Sequence, residues 1–147
     1  MDVIMAIRIE LSHAPTPEER LAILTPLRAY NIAKAGEGNS RDFALLVRDD
    51  ESNDILGGLY GKMFYHWMFI DLLSVPDQAR GQGVGTRLMH MAEALAEENE
   101  CVGIYLDTFD FQAPAFYKKL GFSEIGHIND YPPGHARFFF QKRLRDC

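Results

Sequence analysis

Apolar and polar residues alternate between positions 7 and 11 and then recur every three or four residues, so the first quarter of the chain predicts a strand followed by a helix. Thr16 and Glu19 form a Thr-x-x-Glu capping box at the start of this helix. The helical pattern ends at Gly36. Because Pro26 falls inside the pattern, we expect a kink or two shorter helices.

A hairpin is predicted next, from an apolar run at residues 43–48, a polar turn and a returning strand that begins at Ile55. Three glycines in the second strand, at positions 57, 58 and 61, predict a bulge or the close approach of another backbone. Residues 67–75 predict a third strand. Alternation puts Asp71 on one face with its apolar neighbours Trp67, Phe69, Leu73 and Val75. A carboxylate in so apolar a run requires a physical reason.

The second half of the chain predicts two more helices and three more strands. An amphipathic helix of about 15 residues begins at Val84, with an apolar stripe made of Val84, Leu88, Met91, Ala92 and Leu95. A strand at 102–108 should run parallel to the strand before this helix, because a strand, helix, strand succession makes a right-handed crossover. A short helix runs from near Pro114 to Gly121, and residues 124–128 and 137–144 predict the last two strands.

Three glycines, Gly81, Gly83 and Gly85, lie between the third strand and the amphipathic helix. Without side chains there, the unpaired N–H groups of the first helical turn can contact an anion, and the helix dipole favours negative charge. The turn therefore predicts a phosphate site. A Walker loop does not fit, because the chain's Gly-Lys pair is followed by Met63. A dinucleotide fingerprint fits poorly, since Thr86 occupies its third small position.

The remaining pattern, Arg80-x-x-Gly83-x-Gly85 after an apolar strand, resembles the acyl-coenzyme A pyrophosphate loop of the GNAT acetyltransferases. A second block at residues 110–122 resembles the late helix of that superfamily, and the two blocks stand in the family's order. The resemblance spans roughly residues 43–144. It implies one α/β domain over residues 1–147, with a mixed, largely antiparallel twisted sheet of about six or seven strands. Helices would cover both faces, and a central parallel strand pair would splay apart at the coenzyme A site.

The resemblance also implies a set of donor-binding residues. The backbone of Leu73, Ser74 and Val75 would pair with the pantetheine arm, and the turn would hold the pyrophosphate through Arg80, Gly81, Gln82, Gly83, Val84, Gly85 and Thr86. The second block would add Asp110, Ala113, Phe116 and Tyr117. Asp110 departs from the family's usual Asn, which leaves its contact open.

Tyr117 occupies the family position of the general acid that returns a proton to the leaving thiolate, since a phenol can donate to a thiolate. Its alternative role is packing. Asp71 is the candidate base for the amine, through water, with burial raising its pKa; the equally weighted alternative is a carboxylate that pairs with a cation or orients the substrate. Acceptor contacts would come from Tyr30, Asn31, Asp71, Tyr131 and His135, although plain structural roles compete for all of them.

Bulk composition narrows the function further. The net charge of −6 without a basic run leaves no electrostatic footprint for nucleic acid, and no segment is apolar and long enough for a membrane span. Two cysteines among 147 residues fit a reducing, cytoplasmic setting. His, Cys and carboxylate spacing predicts no metal site. The apolar residues 138–140 would serve either the core or a homodimer interface.

We therefore expect an enzyme that transfers an acetyl group from acetyl-coenzyme A to a primary amine by direct attack in a ternary complex. A small-molecule amine is favoured slightly over a protein lysine or N-terminus. Two alternatives stay open: a non-catalytic acyl-coenzyme A sensor or interaction domain, and a nucleotide-binding oxidoreductase supported by the glycines alone.

Overall fold

The computed structural model describes residues 5–146 and divides the chain into two units, one up to Glu37 and the other from Gly38 onward. The first unit holds helix α1, Pro17–Ala35. Its predicted capping box is confirmed: the Thr16 hydroxyl accepts from the Glu19 amide at 3.1 Å, and the Glu19 carboxylate accepts from the Thr16 amide at 2.8 Å.

One prediction for the first unit is wrong in part and another is wrong. Pro26 does not divide the helix, which is a single element of 19 residues, and a kink at Pro26 stays a prediction. A proline removes one N–H donor, and the remaining bonds of a helix this long can keep it continuous. The alternation at residues 7–11 does not produce a strand, and residues 5–12 have no regular secondary structure. Alternation assigns side chains to faces, whereas a strand also requires hydrogen bonds from a neighbouring strand.

The second unit is a six-stranded sheet with the order β1-β2-β3-β4-β6-β5. Its strands are β1 Arg41–Arg48, β2 Ile55–Phe64, β3 Trp67–Ser74, β4 Gly103–Phe109, β5 Ser123–Asn129 and β6 Ala136–Arg143. All neighbours pair antiparallel except β3 and β4, which are parallel. The predicted mixed, largely antiparallel sheet with a central parallel pair is therefore confirmed.

Helix α2, Val84–Glu98, makes the crossover between the two parallel strands, and the short helix α3, Pro114–Lys119, follows β4. Both helices reach the sheet face that carries Phe140, which is fully buried in β6. The Tyr117 ring of α3 lies 6.3 Å from the Phe140 ring. Glu93 of α2 pairs at 2.7 Å with Lys142, two residues further along the same strand face.

The predicted apolar stripe of α2 is correct in part. Leu88 and Ala92 are buried, but Met91 is 52% exposed, and Met89 and Ala96 are buried in its place. A helix turns by about 100° per residue, so the buried stripe is rotated by roughly 70° from the predicted one, and Leu88 and Ala92 belong to both. The position of the sheet decides which face of α2 packs against the core, and the pattern of the helix alone does not specify that position.

Candidate active site

A cleft opens where β3 and β4 separate. Their parallel ladder runs from Trp67 opposite Gly103 to Ile70 opposite Leu106 and stops there, although each strand continues in its pairing with its outer neighbour. The cleft has a volume of about 700 Å³. Its lining residues are Ile70, Asp71, Leu72, Leu73, Ser74, Val75, Gly85, Leu106, Asp107, Thr108, Phe109, Gln112, Ala113, Phe116 and Tyr117. The strand separation leaves backbone edges on both sides of the cleft without ladder partners.

A β-bulge at Asp71 marks the point of separation. Tyr60 of β2 is opposite Leu72 and Gly61 is opposite Ile70, so Asp71 is the extra residue of β3. The glycines of β2 predicted a bulge in that strand or the close approach of another backbone, and the close approach is confirmed by the Phe69 carbonyl at Gly61, whereas the extra residue of this bulge lies on β3. An extra residue breaks the alternation of faces, which gives the reason for an acid in this strand.

Two predictions for Asp71 are therefore wrong. It is exposed rather than buried. It also does not share a face with Leu73, which packs against the core beyond the bulge. Its charge reaches Tyr60, whose pKa is raised mainly by the hydrogen bond to Asp42 and in small part by Asp71.

The glycine-rich turn ends at the N-terminus of α2. Gly81 and Gly83 have φ of +78° and +73°, which favours glycine, and Gly83 is the N-cap of the helix. The first helical bond runs from the Arg87 amide to the Gly83 carbonyl, which leaves the amides of the first turn without helical partners. No side chain caps this end and no acid lies in its first turn. The backbone of this turn therefore has the arrangement that the sequence predicts for a phosphate site, and the binding of an anion stays a prediction.

The side chains around the turn offer an anion less than the backbone amides do. Arg80 is exposed and its Nε lies 3.1 Å from Asp77 Oδ1, a pair that is worth little in solvent. Gly85 faces the cleft, where a Cβ atom would contact Phe116 and Val75 at 3.4 Å. Gly85 is therefore the position of this turn at which a larger side chain would narrow the cleft.

Tyr117 lines the cleft from α3 and is 7% exposed. Its ring packs against Phe116, Phe122 and Phe140. Burial, and in smaller part the charge of Asp107, raises the pKa of Tyr117 to about 12. The phenol therefore stays protonated at neutral pH and can donate a hydrogen bond to a developing thiolate. Packing and proton donation, the two roles weighed from the sequence, are compatible in one side chain.

Sequence reasoning missed the ion pair between Asp107 and Arg137. Arg137 donates to Asp107 Oδ1 from Nε at 2.9 Å and from Nη2 at 2.6 Å, and from Nη1 to the Tyr131 hydroxyl at 2.6 Å. Burial lowers the pKa of Arg137, but the hydrogen bond and charge of Asp107 outweigh it and raise the pKa overall. The acid Asp107 inside the apolar strand at 103–109 was the sequence feature that could have predicted this pair. The pair ties β4 to β6 and holds Tyr131 beside Phe109.

Gln112 and Thr108, which the sequence reasoning also missed, shape the end of β4. The Gln112 side-chain oxygen accepts from the Phe109 amide at 2.7 Å and from the Thr108 hydroxyl at 3.2 Å. Thr108 is 4% exposed, so this bond supplies a partner that a buried hydroxyl needs. The contact fixes one wall of the cleft.

The structure brings together two of the predicted residues, Asp110 and His135. Asp110 Oδ1 lies 3.0 Å from His135 Nδ1, and Oδ2 accepts from the Ala136 amide at 3.0 Å. Tyr30 and Asn31 lie on α1, in the first unit. Their predicted contact with an acceptor stays a prediction.

In the described part of the chain, no group of three or more His, Cys, Asp or Glu side chains could hold a metal ion. Between residues 5 and 146, no helix is both long enough and apolar enough to cross a membrane.

Comparisons with known proteins agree with this geometry. The chain is 38% identical over 134 residues to an acetyltransferase of Agrobacterium fabrum, covering 91% of this chain and 97% of that protein. It is 44% identical over 95 residues to blasticidin-S acetyltransferase of Streptomyces morookaense, covering 64% of this chain and 70% of that protein.

Solved structures share the fold. An acetyltransferase from Agrobacterium tumefaciens superposes with a TM-score of 0.87 at 36% identity, covering 94% of this chain and all of that one. A streptothricin acetyltransferase from Bacillus anthracis, in complex with acetyl coenzyme A, has a TM-score of 0.58 at 24% identity and covers 73% of this chain and 64% of that one. The model of the acetyltransferase (GNAT) family matches residues 7–122, and the chain belongs to this family of acyltransferases.

Proposed function

We propose that this protein acetylates a primary amine of a small molecule, using acetyl-coenzyme A as the donor and direct attack in a ternary complex. The observation that carries the proposal is the cleft between two splayed parallel strands, which ends at an uncapped helix N-terminus. The cleft offers a backbone edge for an amide-rich arm, and the helix start offers amides for a pyrophosphate. Bound acetyl-coenzyme A supplies the activated acetyl group as a thioester.

The donor would be held mostly by backbone. Residues 73–75 would pair with the pantetheine arm as a further strand, and the amides of residues 81–86 would hold the pyrophosphate. Ala113 and Phe116 line the opposite wall of the cleft, where Phe116 lies against Gly85. Asp110 contributes less to this site than expected, because both of its carboxylate oxygens already have partners within the chain.

Tyr117 would act as the general acid. Its ring lies on the cleft wall, and its raised pKa keeps the proton on the phenol until the thiolate forms. Because a thiol has a pKa near 8.5, full proton transfer from a phenol of pKa about 12 to the thiolate is uphill. The phenol would therefore stabilise the leaving sulfur through a hydrogen bond, which strengthens as negative charge develops on the sulfur.

Asp71 would bind the acceptor and take its first proton through water. Its carboxylate is exposed on the bulge at the point where the strands separate. A cationic amine beside this carboxylate would stand next to the thioester carbonyl. A backbone N–H of the bulged segment would stabilise the negative charge that develops on that carbonyl oxygen.

The small-molecule class of the acceptor is supported by two comparisons. Proteins named for acetylation of blasticidin S and of streptothricin are similar to this chain, and the similarity to the first covers 64% of this chain. We use these two compounds as first acceptors to test, beside a lysine peptide. The cytoplasmic location and a homodimer stay predictions.

The first experiment is a thermal-shift titration with acetyl-coenzyme A, with NAD as the comparison ligand. A ligand at about 100 times its Kd adds about 2.7 kcal/mol, which for this chain length raises Tm by roughly 5–10 °C. Gly85→Val narrows the cleft and should abolish most of the shift. Gly126→Val is the matched control, because a Cβ at Gly126 of β5 contacts nothing within 4 Å.

Turnover is then measured as thiol release with each amine. Tyr117→Phe should lower kcat by about 10²-fold or more while leaving the acetyl-coenzyme A shift intact. A shift without thiol release from any amine would favour the acyl-coenzyme A sensor. The absence of a shift with acetyl-coenzyme A, or a larger one with NAD, would overturn the proposed function.

A further inference from the structure

Three apolar side chains near the start of the described chain are almost fully exposed. Ile7 is 80% exposed, Ile9 is 98% exposed and Leu11 is 75% exposed. They alternate with polar residues, which is the pattern of a half-buried strand, yet residues 5–12 have no regular secondary structure. We call residues 7–11 the alternating segment. It has the pattern of a strand but, within the described chain, no strand to pair with.

Strand β1 offers the complementary backbone. It stands at one end of the sheet order and pairs with β2 alone among the described strands. The side of β1 that faces away from β2 therefore carries N–H and C=O groups without a ladder partner. Phe43, Leu45 and Val47 alternate along the middle of β1 and pack against the core while only partly buried. An edge strand with such an apolar middle is a template for a further strand.

An apolar groove lies beside this edge, between β1 and α2. Its volume is about 480 Å³. Its lining residues are Ala44, Leu45, Leu46, Val47, Val84, Arg87, Leu88 and Met91. Met91 is 52% exposed there, although the pattern of the helix assigns it to the apolar stripe. A chain segment in the groove would cover this part of the stripe.

The alternating segment matches the edge and the groove in length and in pattern. The segment and residues 43–47 of β1 are each five residues long, and each places three apolar side chains on one face. If the segment pairs with the free side of β1, its apolar face can turn toward α2 and fill the groove. A slip of one residue would turn the same side chains to the opposite face, so the pattern also restricts the register.

A second copy of the chain is the partner that satisfies both surfaces. Every copy carries an alternating segment and a groove, so two copies can exchange segments about a twofold axis. Each exchanged segment and the groove beneath it would bury roughly 800 Å², and the reciprocal contact doubles this to about 1,600 Å², the size of a stable interface. Residues 138–140 offer less surface for a dimer, because Phe140 is fully buried.

We propose that the protein forms a twofold dimer in which the alternating segment of each copy pairs with β1 of the other. Ile7, Ile9 and Leu11 fill the groove of the second copy. The exchange adds a seventh strand to each six-stranded sheet, in line with the six or seven strands expected from the sequence. The inference does not rest on the proposed function.

The test compares Ile9→Asp with Ile125→Asp in sedimentation velocity of the full chain over a range of concentrations. The wild type should be a dimer at micromolar concentration. Ile9→Asp places a charge in the apolar groove and should raise the dissociation constant of the dimer by about 10²-fold or more. Ile125 is 56% exposed on β5, at the opposite end of the sheet order, so Ile125→Asp makes the same change of charge there and should leave the dimer intact. Because Ile9 is exposed in one copy, Ile9→Asp should keep the far-UV circular dichroism spectrum of the wild type.

A groove variant tests the other half of the contact. Met91→Asp should also give monomers. A mixture of Ile9→Asp and Met91→Asp should regain part of the dimer, because one of the two contacts in the mixed pair then carries neither substitution. Amide hydrogen exchange in residues 7–11 should be slow in the wild-type dimer and fast in each variant alone.

Three outcomes would overturn the inference. The first is a wild type that stays monomeric at every concentration tested. The second is a dimer that Ile9→Asp leaves intact or that Ile125→Asp dissociates. The third is a mixture of the two monomeric variants that forms no dimer.

Discussion

Replacing Tyr117 with Phe should make the protein relatively more stable at alkaline pH. Burial and Asp107 raise the pKa of Tyr117 to about 12 in the folded protein, whereas an unfolded tyrosine titrates near 10. Below pH 10 both states keep the proton, so the stabilising difference is fully present. Above pH 10 the unfolded state ionises first, and stability is lost until the folded phenol titrates too. The total loss is about 2.7 kcal/mol, of which about 1.3 kcal/mol is lost by pH 11.

Urea unfolding at pH 8, 9, 10 and 11 measures this difference. The stability of Tyr117→Phe relative to the wild type should rise by about 1.3 kcal/mol between pH 9 and pH 11. Tyr105→Phe is the control, because it removes one phenol at a ring that is 41% exposed. Parallel stability curves for the wild type and Tyr117→Phe would refute the burial of a protonated phenol at the cleft. Tyr117 would then lack the retained proton on which donation to the thiolate depends.

Two further substitutions, each with a control, test the contacts that hold the sheet around the cleft. Arg137→Met removes three hydrogen bonds from a half-buried guanidinium and leaves Asp107 unpaired, so it should lower the free energy of unfolding in urea by about 1–3 kcal/mol. Arg80→Met, at an exposed ion pair, should lower it by less than about 0.5 kcal/mol, and equal losses would contradict a stabilising role for the Asp107–Arg137 pair. Gly58→Ala places a Cβ against the Leu45 carbonyl and should prevent stable folding, whereas Gly134→Ala, with φ of +85° and open space, should cost only about 1–2 kcal/mol by the same assay.

The cleft and the helix start on which the proposed donor site depends were predictable because they are made of local backbone. A strand, a glycine-rich turn and a helix follow one another within residues 67–98, and their order alone places amides at the end of the cleft. The splay and the crossover follow from the same order. Residues of the second block reach the cleft through one short helix, so Ala113, Phe116 and Tyr117 were placed correctly on its wall.

The acceptor side of the cleft could not be predicted from local sequence, because it depends on the register of paired strands and on long-range contacts. One extra residue at Asp71 reverses the faces of the strand beyond it, and alternation counted along the sequence has no means to detect that. Arg137 meets Asp107 across 30 positions of the chain, and His135 meets Asp110 across 25. These pairs follow from the pairing of β4 with β6, which the sequence predicted as separate strands without a register.

Asp110 shows how one local departure can be understood once the register is known. The family pattern has an amide at this position, and an amide carries donors as well as an acceptor. The carboxylate accepts from both the His135 ring and the Ala136 amide, so it binds the turn before β6 through two hydrogen bonds that need no donor in return. An asparagine could accept only through its single oxygen and would turn its NH₂ group toward one of these donors. The acid at position 110 therefore suits the chain's own histidine, and this fit gives the departure from the family pattern a structural reason.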